Sequence, residues 1–323
     1  MGLYLPQRKN KSSWRFSALL EVDSALGWSP AAEDPPQQTD AYLAEGIPMR
    51  SSGKVPKCRS AREVSAAFEA LDFDAVWSHF KKEQVSSGEE EDFVDAEPFL
   101  VCQVDSIPVF NKYADREKLR IALRFLEFKD HHVFIVEWPS TAHESAVRNF
   151  EAKFSRACGD DDAFAHRGSF TAHRVGSPDK EADATFGPMN RTLNRTAPPA
   201  GRAIDDWVTL AVEVAVSQSW ESLMRAAQWW ASYSGVRYVL CIKLRSQASW
   251  HYRLYEIDQA GFLPDVPQVN AFFPCDAIQA GVHVLTLDAR KILSVPNNLA
   301  LPPRVNDPIV IDLGAVAMAA RED

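Results

Sequence analysis

The chain has 323 residues and a formal net charge of -9, and 46% of its residues are hydrophobic. This length and apolar content suffice for one large globular domain or two modest ones. The acidic balance excludes a large unspecific nucleic-acid surface, although a local basic patch is compatible with it. No apolar run approaches the length of a membrane span, so we expect an intracellular protein, cytoplasmic or nuclear, with no membrane partner.

Two segments precede the dense part of the chain. Residues 1–58 have no hydrophobic period and are typical of a poorly ordered arm that acts through a protein partner. Residues 59–97 predict a short helical region and an acidic linker. Ser60 and Glu63 have the spacing of a capping box, a second helix is expected over Asp74–Lys82, and the acidic run SSGEEEDFVDAE follows it.

Residues 98–295 predict an α/β domain. Leu119–Phe128 and Val133–Trp138 alternate apolar and polar residues around the turn KDHH, which indicates a hairpin. A helix over Asp115–Glu127 is the alternative for the first arm. After the hairpin, Thr141 and Glu144 have capping-box spacing and predict the start of another helix. The apolar face of that helix consists of His143, Val147, Phe150 and Phe154.

The clearest pattern is a strand, a helix and a strand. Val208–Val216 has a period of two, with Glu213 as its only charge, and the period then becomes helical from Trp220. Gly235 is the expected helix C-cap, and Arg237–Leu244 is the second strand. Such a short unit predicts a right-handed crossover between parallel strands. A carboxylate in a buried strand therefore requires a partner.

The end of the chain carries weaker signals. Trp250–Ile257 and Val282–Leu287 are the remaining strand candidates. Residues 296–323, with the dipeptide Pro302-Pro303, predict a C-terminal tail that wraps or frays.

Four segments resemble the PD-(D/E)XK superfamily, and within it a restriction-endonuclease-like family, of which the chain looks like a divergent eukaryotic member. They are VEWPSTAHESAVRNF, EADATFGP, VEVAVSQSWESL and GVRYVLCIK. The resemblance covers about residues 105–295. It implies an α/β fold in which a mixed sheet is flanked by helices, with an N-terminal helical or disordered extension.

The resemblance also implies a chemistry, the hydrolysis of phosphodiester bonds in DNA or RNA. Asp183 and Glu213 match the two carboxylates that hold Mg²⁺ in the superfamily. The alternative for Asp183 is a carboxylate that caps a turn. For Glu213 it is the partner of an arginine or a solvent-facing edge residue. A lone charge in a buried strand is usually paired or bound to metal, which favours the site interpretation.

Other candidates surround this pair. Glu144 would add a third carboxylate, although a capping role explains it, and His143 fits a satisfied residue at the helix start better than a ligand. Gln218 would orient water or cap the helix from Trp220. The superfamily lysine two residues after Glu213 is replaced by Ala215, and Arg225 is the candidate for the missing cation.

Two functions from different classes follow. The first is a divergent, magnesium-dependent nuclease. The second is a catalytically silent module of the same fold that mediates protein interactions. A basic groove beside the carboxylates would favour the nuclease, and its candidates are Arg191, Arg195, Arg202 and Arg225.

Overall fold

Strands and helices alternate along the chain in a computed structural model that describes residues 55–82, 95–245, 249–258, 260–274 and 278–322. The strands are β1 (Lys57–Cys58), β2 (Phe99–Val104), β3 (Leu126–Lys129), β4 (His132–Ile135), β5 (Phe164–His166), β6 (Thr171–Ala172), β7 (Lys180–Glu181), β8 (Ala184–Pro188), β9 (Leu210–Ala215), β10 (Tyr238–Arg245), β11 (Ser249–Glu256), β12 (Val269–Pro274), β13 (Val284–Leu287) and β14 (Ile309–Asp312). The helices are α1 (Ala61–Glu69), α2 (Phe73–Lys82), α3 (Ile107–Ala114), α4 (Thr141–Ala157), α5 (Trp220–Ala231), α6 (Ala289–Leu293) and α7 (Leu313–Glu322). Within the described ranges, no helix has both the length and the apolarity that a bilayer crossing needs. Most of the predicted arm, residues 1–54, and most of the acidic run, residues 86–94, lie outside those ranges.

The predicted strand, helix and strand form the centre of the fold. β9 and β10 pair in parallel with α5 as their connection, and Glu213 stands opposite Cys241. One detail of the prediction was wrong, because α5 ends at Ala231 and Ser232 is its C-cap. Gly235 lies beyond it in a turn with φ +103°, where a Cβ atom would approach Trp207 Nε1 to 2.6 Å.

The main sheet is mixed and has helices on both faces. Its strand order is β12-β11-β10-β9-β8-β5, and every neighbouring pair except β9 and β10 is antiparallel. On one face α5 buries Leu223 and Trp230, and on the other α4 buries Phe150 and Phe154. Each such side chain stabilises the fold by about 1.5–3 kcal/mol through burial. The predicted α/β class, a mixed sheet flanked by helices, is confirmed.

A second core lies around the smaller sheet β1-β2-β4-β3. It joins residues of α1 and α2, such as Phe68 and Phe80, to residues of the hairpin β3–β4, such as Val133. The capping box at Ser60 and the hairpin are both present, and a single 3-10 turn takes the place of the alternative helix. The predicted boundary near residue 97 therefore falls inside one core, which contains residues from both sides of it.

The C-terminal residues also belong to a core. β14 pairs with β13, and α7 packs against α4. Leu313, Val316 and Ala317 of α7 are buried in the same cluster as Phe150. Residues 296–323 are therefore no fraying tail as far as they are described, because their last helix covers the outer side of α4.

Candidate functional site

Asp183 and Glu213 lie at the same end of the strand pair β8 and β9. The register pairs Ala184 with Val212, and Asp183 directly precedes β8. The Asp183 backbone N–H donates to the Val212 carbonyl oxygen at 3.2 Å, one residue out of that register. The Asp183 carboxylate contacts His143 of α4, whereas the Glu213 carboxylate contacts Trp230 of α5. The partners of the two carboxylates therefore lie on opposite faces of the main sheet.

The Asp183 carboxylate is surrounded by donors. Its Oδ2 accepts a hydrogen bond of 2.6 Å from the Val214 backbone N–H, and its Oδ1 lies 3.1 Å from His143 Nε2. The side chain is 3% exposed. Burial opposes the charged form of the imidazole, but the Asp183 carboxylate outweighs it and holds the pKa of His143 well above its usual range. His143 is therefore the ion-pair partner of Asp183.

The Glu213 carboxylate faces α5. Its Oε1 accepts a hydrogen bond of 2.5 Å from the Trp230 indole N–H and lies 3.7 Å from Lys180 Nζ. Burial raises the pKa of Glu213 to about 7, Lys180 opposes this rise and the charge of Asp183 adds to it. The two carboxylates therefore have different partners, Trp230 and Lys180 for Glu213, and Val214 and His143 for Asp183.

Arg124 connects three carboxylates beside this pair. Its guanidinium lies 2.6 Å from Glu144, 3.4 Å from Glu181 and 3.5 Å from Asp183. The contact with Asp183 is an ion pair by distance only, because Arg124 Nε makes no hydrogen bond. Sequence reasoning missed Arg124 because it lies in a short 3-10 turn without a period.

The predicted capping box at the start of α4 is wrong. The N-cap is Ser140, whose side chain accepts from the His143 backbone N–H at 3.2 Å, so Thr141 and Glu144 form no capping box. Glu144 instead binds Arg124 and lies 3.6 Å from His143 Nδ1. The nearby His143 imidazole, followed by the hydrogen bond with Arg124, lowers the pKa of Glu144 to about 2 against the opposing effect of burial. Glu144 is thus part of the charged cluster.

Arg225 lies on α5, and Gln218 directly precedes the N-cap of this helix. Arg225 is bound by Glu127 and by Glu221, and none of the ion pairs among the described residues joins it to Asp183 or Glu213. Gln218 donates to the Ser222 hydroxyl at 2.8 Å. Together with Lys180, both residues line a cavity of about 190 Å³. Lys180 is therefore the cation that touches both this cavity and Glu213.

A third carboxylate, Glu137, is buried near the same end of the sheet. Its Oε1 accepts a hydrogen bond of 2.8 Å from the Val216 backbone N–H. Burial raises the pKa of Glu137 to about 7, against the opposing charge of His143. Its position in VEWP, a strand end that repeats the valine and glutamate of VEV, is a signal that the sequence carried.

Lys243 lies beside Ala215 on the neighbouring strand β10, and the register of β9 and β10 pairs the two residues. Its ammonium lies 3.0 Å from Asp95 and also donates to the Gln218 carbonyl oxygen. Lys243 is therefore held in an ion pair with Asp95 near the N-terminal end of α5.

The four arginines predicted to line a basic groove have local partners. Arg191 binds Asp162 at 2.7 Å, and Arg195 donates to Asn190 Oδ1 at 3.0 Å. Arg202 donates to the His173 carbonyl oxygen at 3.0 Å. Since Arg225 is also bound by two glutamates, these residues form no open basic row.

No protein-family model and no curated protein matches the sequence. Among solved structures, the chain is similar to a proposed nuclease of the DUF820 family from Anabaena variabilis, with 9% identity and a TM-score of 0.38. That alignment covers 67% of this chain and 98% of the other. A likeness of this strength says nothing about activity, so the residues of this chain have to carry the functional conclusion.

Proposed function

We propose that this chain is a divergent, magnesium-dependent nuclease of the restriction-endonuclease-like type. The observation that carries the proposal is the buried Glu213 in β9, with Asp183 at the adjoining end of β8 and the Lys180 ammonium 3.7 Å from Glu213. Two carboxylates and one lysine are the groups that the PD-(D/E)XK resemblance implies. The lysine comes from β7 and not from position 215.

The donor set fits Mg²⁺. The cation prefers carboxylate oxygens, and Asp183 and Glu213 are the residues that would hold it. The raised pKa of Glu213 supports this, because burial and the charge of Asp183 both disfavour its anion until a cation is shared. When bound, Mg²⁺ polarises a phosphate and lowers the pKa of a water molecule.

The protein's own groups would orient the two carboxylates and stabilise the developing negative charge. Trp230 and the Val214 backbone N–H hold the two carboxylates in fixed orientations through hydrogen bonds of 2.5 and 2.6 Å. Lys180 lines the cavity of about 190 Å³, so its ammonium would meet a phosphate that enters there and stabilise the developing negative charge. His143 and Arg124, which lie 3.1 and 3.5 Å from Asp183, would hold its carboxylate in place.

A second function, the catalytically silent module, is favoured by a separate observation. The side chains of Asp183 and Glu213 are 3% and 4% exposed, and protein donors already contact both. The four arginines predicted to line a basic groove also have local partners, which agrees with a catalytically silent module. In this case the cluster would stabilise the fold, and the protein would act through a protein partner, for which the N-terminal arm is a candidate.

A cleavage assay on single- and double-stranded DNA and RNA, with and without Mg²⁺, tests the choice. We expect cleavage that requires the cation and that Asp183→Asn and Glu213→Gln each abolish, with the far-UV circular dichroism unchanged. Calorimetric titration with Mg²⁺ should show binding that both variants lose. Absence of both cleavage and Mg²⁺ binding in the wild-type protein would reject the nuclease and leave the silent module.

A further inference from the structure

Two carboxylates and one imidazole meet beside the cavity that Lys180 lines, at residues other than Asp183 and Glu213. Asp115, His173 and Asp179 each offer one ligand atom, and these atoms lie within 4.8 Å of one another. We propose that they form a binding site for one divalent transition-metal ion of the Zn²⁺ or Mn²⁺ class. The site does not depend on the proposed nuclease activity.

The hairpin of β6 and β7 positions two of the ligands. Ala172 pairs with Lys180, and one step further into the loop His173 stands opposite Asp179. His173 Nδ1 lies 3.1 Å from Asp179 Oδ2. The imidazole and the carboxylate therefore converge because they share one register of a short antiparallel ladder.

The helix α3 positions the third ligand and also holds the hairpin. Asp115 is the C-cap of α3, and Asn111 precedes it by about one helical turn. Asn111 Nδ2 donates to the Ser177 carbonyl oxygen at 3.0 Å, and its Oδ1 accepts from the Asp179 backbone N–H at 2.9 Å. The same helix thus fixes the loop that carries Asp179 and places Asp115 beside it, which pre-organises all three ligands.

The protein balances the charges at this place only in part, because His173 is the ion-pair partner of Asp179. The Asp179 side chain is 4% exposed, and Asp115 adds a negative charge at the end of α3, where the helix dipole is already negative. Among the ion pairs of the described residues, none joins a lysine or arginine to Asp115 or Asp179. Buried charges are normally paired or bound to metal. A divalent cation would remove this imbalance.

The donor types select the metal. Imidazole nitrogen suits Zn²⁺ and related transition metals, and carboxylates also suit Mn²⁺. Mg²⁺ instead prefers an octahedral shell of oxygens. Three protein ligands leave room for water or another ligand, as in zinc sites with an open position.

Calorimetric titration of the full-length, metal-free protein with ZnCl₂ tests the proposal. The Asp183→Asn/Glu213→Gln double variant serves as the background, so that loss of the other candidate centre cannot be confused with loss of this one. We expect one Zn²⁺ per chain and much weaker binding of Mg²⁺. Adding His173→Ala should weaken Zn²⁺ binding by about 100-fold or more, and Asn111→Ala by about 10- to 100-fold.

The control variants separate ligation from folding. His173 and Asp115 are exposed, so His173→Ala and Asp115→Asn should keep the circular dichroism spectrum of the parent while both lose Zn²⁺. His132→Ala, which removes an imidazole outside the cluster, should leave the affinity unchanged. The visible spectrum of bound Co²⁺ should disappear with His173→Ala. No Zn²⁺ binding, or equal affinity in the parent, His173→Ala and Asp115→Asn proteins, would overturn the proposal.

Discussion

The Lys180 ammonium lies 3.7 Å from Glu213 Oε1, although the two residues come from different strands. Only 14% of the Lys180 side chain is exposed, so its charge acts in a partly desolvated environment. The PD-(D/E)XK resemblance implies such a lysine at position 215, where this chain has alanine. A lysine from β7 thus offers the charge that β9 lacks.

Lys180→Met should abolish most of the proposed nuclease activity. We expect kcat to fall by about 10²- to 10³-fold, because an electrostatic donor to the developing charge is removed. Initial rates of cleavage at saturating substrate measure this, with the exposed Lys118→Met as the matched control. If Lys180→Met cleaves at the wild-type rate while Mg²⁺ dependence persists, Lys180 has no part in the reaction.

Glu213→Gln and Glu213→Ala should separate chemistry from stability. Glutamine keeps an acceptor for the Trp230 N–H and removes a buried charge, so the free energy of unfolding should change little. Alanine leaves that N–H without an acceptor and opens a cavity, which should cost about 2–4 kcal/mol. Urea denaturation at pH 7 measures both. Equal destabilisation by the two substitutions would show that the carboxylate charge itself stabilises the fold.

Glu137 should make stability fall as the pH rises. Its pKa is about 7 in the folded protein against an ordinary value of 4.5, so between these pH values the folded state binds more protons than the unfolded state. The free energy of unfolding then decreases with increasing pH, and the full cost, ~3 kcal/mol, is present above pH 7. Below pH 4.5 both states are protonated and the contribution vanishes.

Glu137→Gln tests this sign. The amide keeps an acceptor for the Val216 N–H and does not ionise. Relative to wild type, the variant should therefore gain stability between pH 4.5 and pH 8, as measured by urea denaturation at both values. The exposed Glu117→Gln is the control. A difference between variant and wild type that is the same at both pH values would contradict the prediction.

The sequence predicted the elements around the site better than the roles of its residues. Glu213 interrupts a clear period of two and is buried, which argues against the solvent-facing alternative. Arg225 lies on the regular helix α5, but Glu127 and Glu221 bind it. Lys180 and Arg124 could not be found in this way, because a two-residue strand and a 3-10 turn have no period. Their positions depend on the pairing of strands that are distant in sequence.

The C-terminal region shows a different reason for a missed element. The prolines near residue 302 indicated irregular structure, and they do lie in a stretch without helix or strand. The apolar segment after them forms α7, whose pattern was readable but whose partner α4 lies more than 150 residues earlier. Propensity alone therefore underestimated a helix that is stabilised by tertiary contacts.

Arg124→Met should destabilise the protein through the carboxylates that it leaves behind. The guanidinium is within 3.5 Å of Glu144, Glu181 and Asp183, and its side chain is only 18% exposed. Methionine preserves much of the apolar stem but removes the charge that these three groups share. Because partly buried carboxylates would then lack their common partner, we expect a loss of about 2–4 kcal/mol at pH 7.

The pH dependence of the deficit and a control variant at Arg191 test this explanation of the destabilisation. Protonation relieves repulsion between carboxylates, so the deficit of Arg124→Met should shrink as the pH falls from 7 towards 4. Arg191→Met is the matched control, since Arg191 forms an exposed pair with Asp162 and such pairs contribute about 0–1 kcal/mol. Urea denaturation of both variants at pH 4 and pH 7 provides the comparison. A deficit for Arg124→Met that is small and equal to that of Arg191→Met would mean that His143 alone neutralises Asp183, and that Arg124 is a peripheral contact.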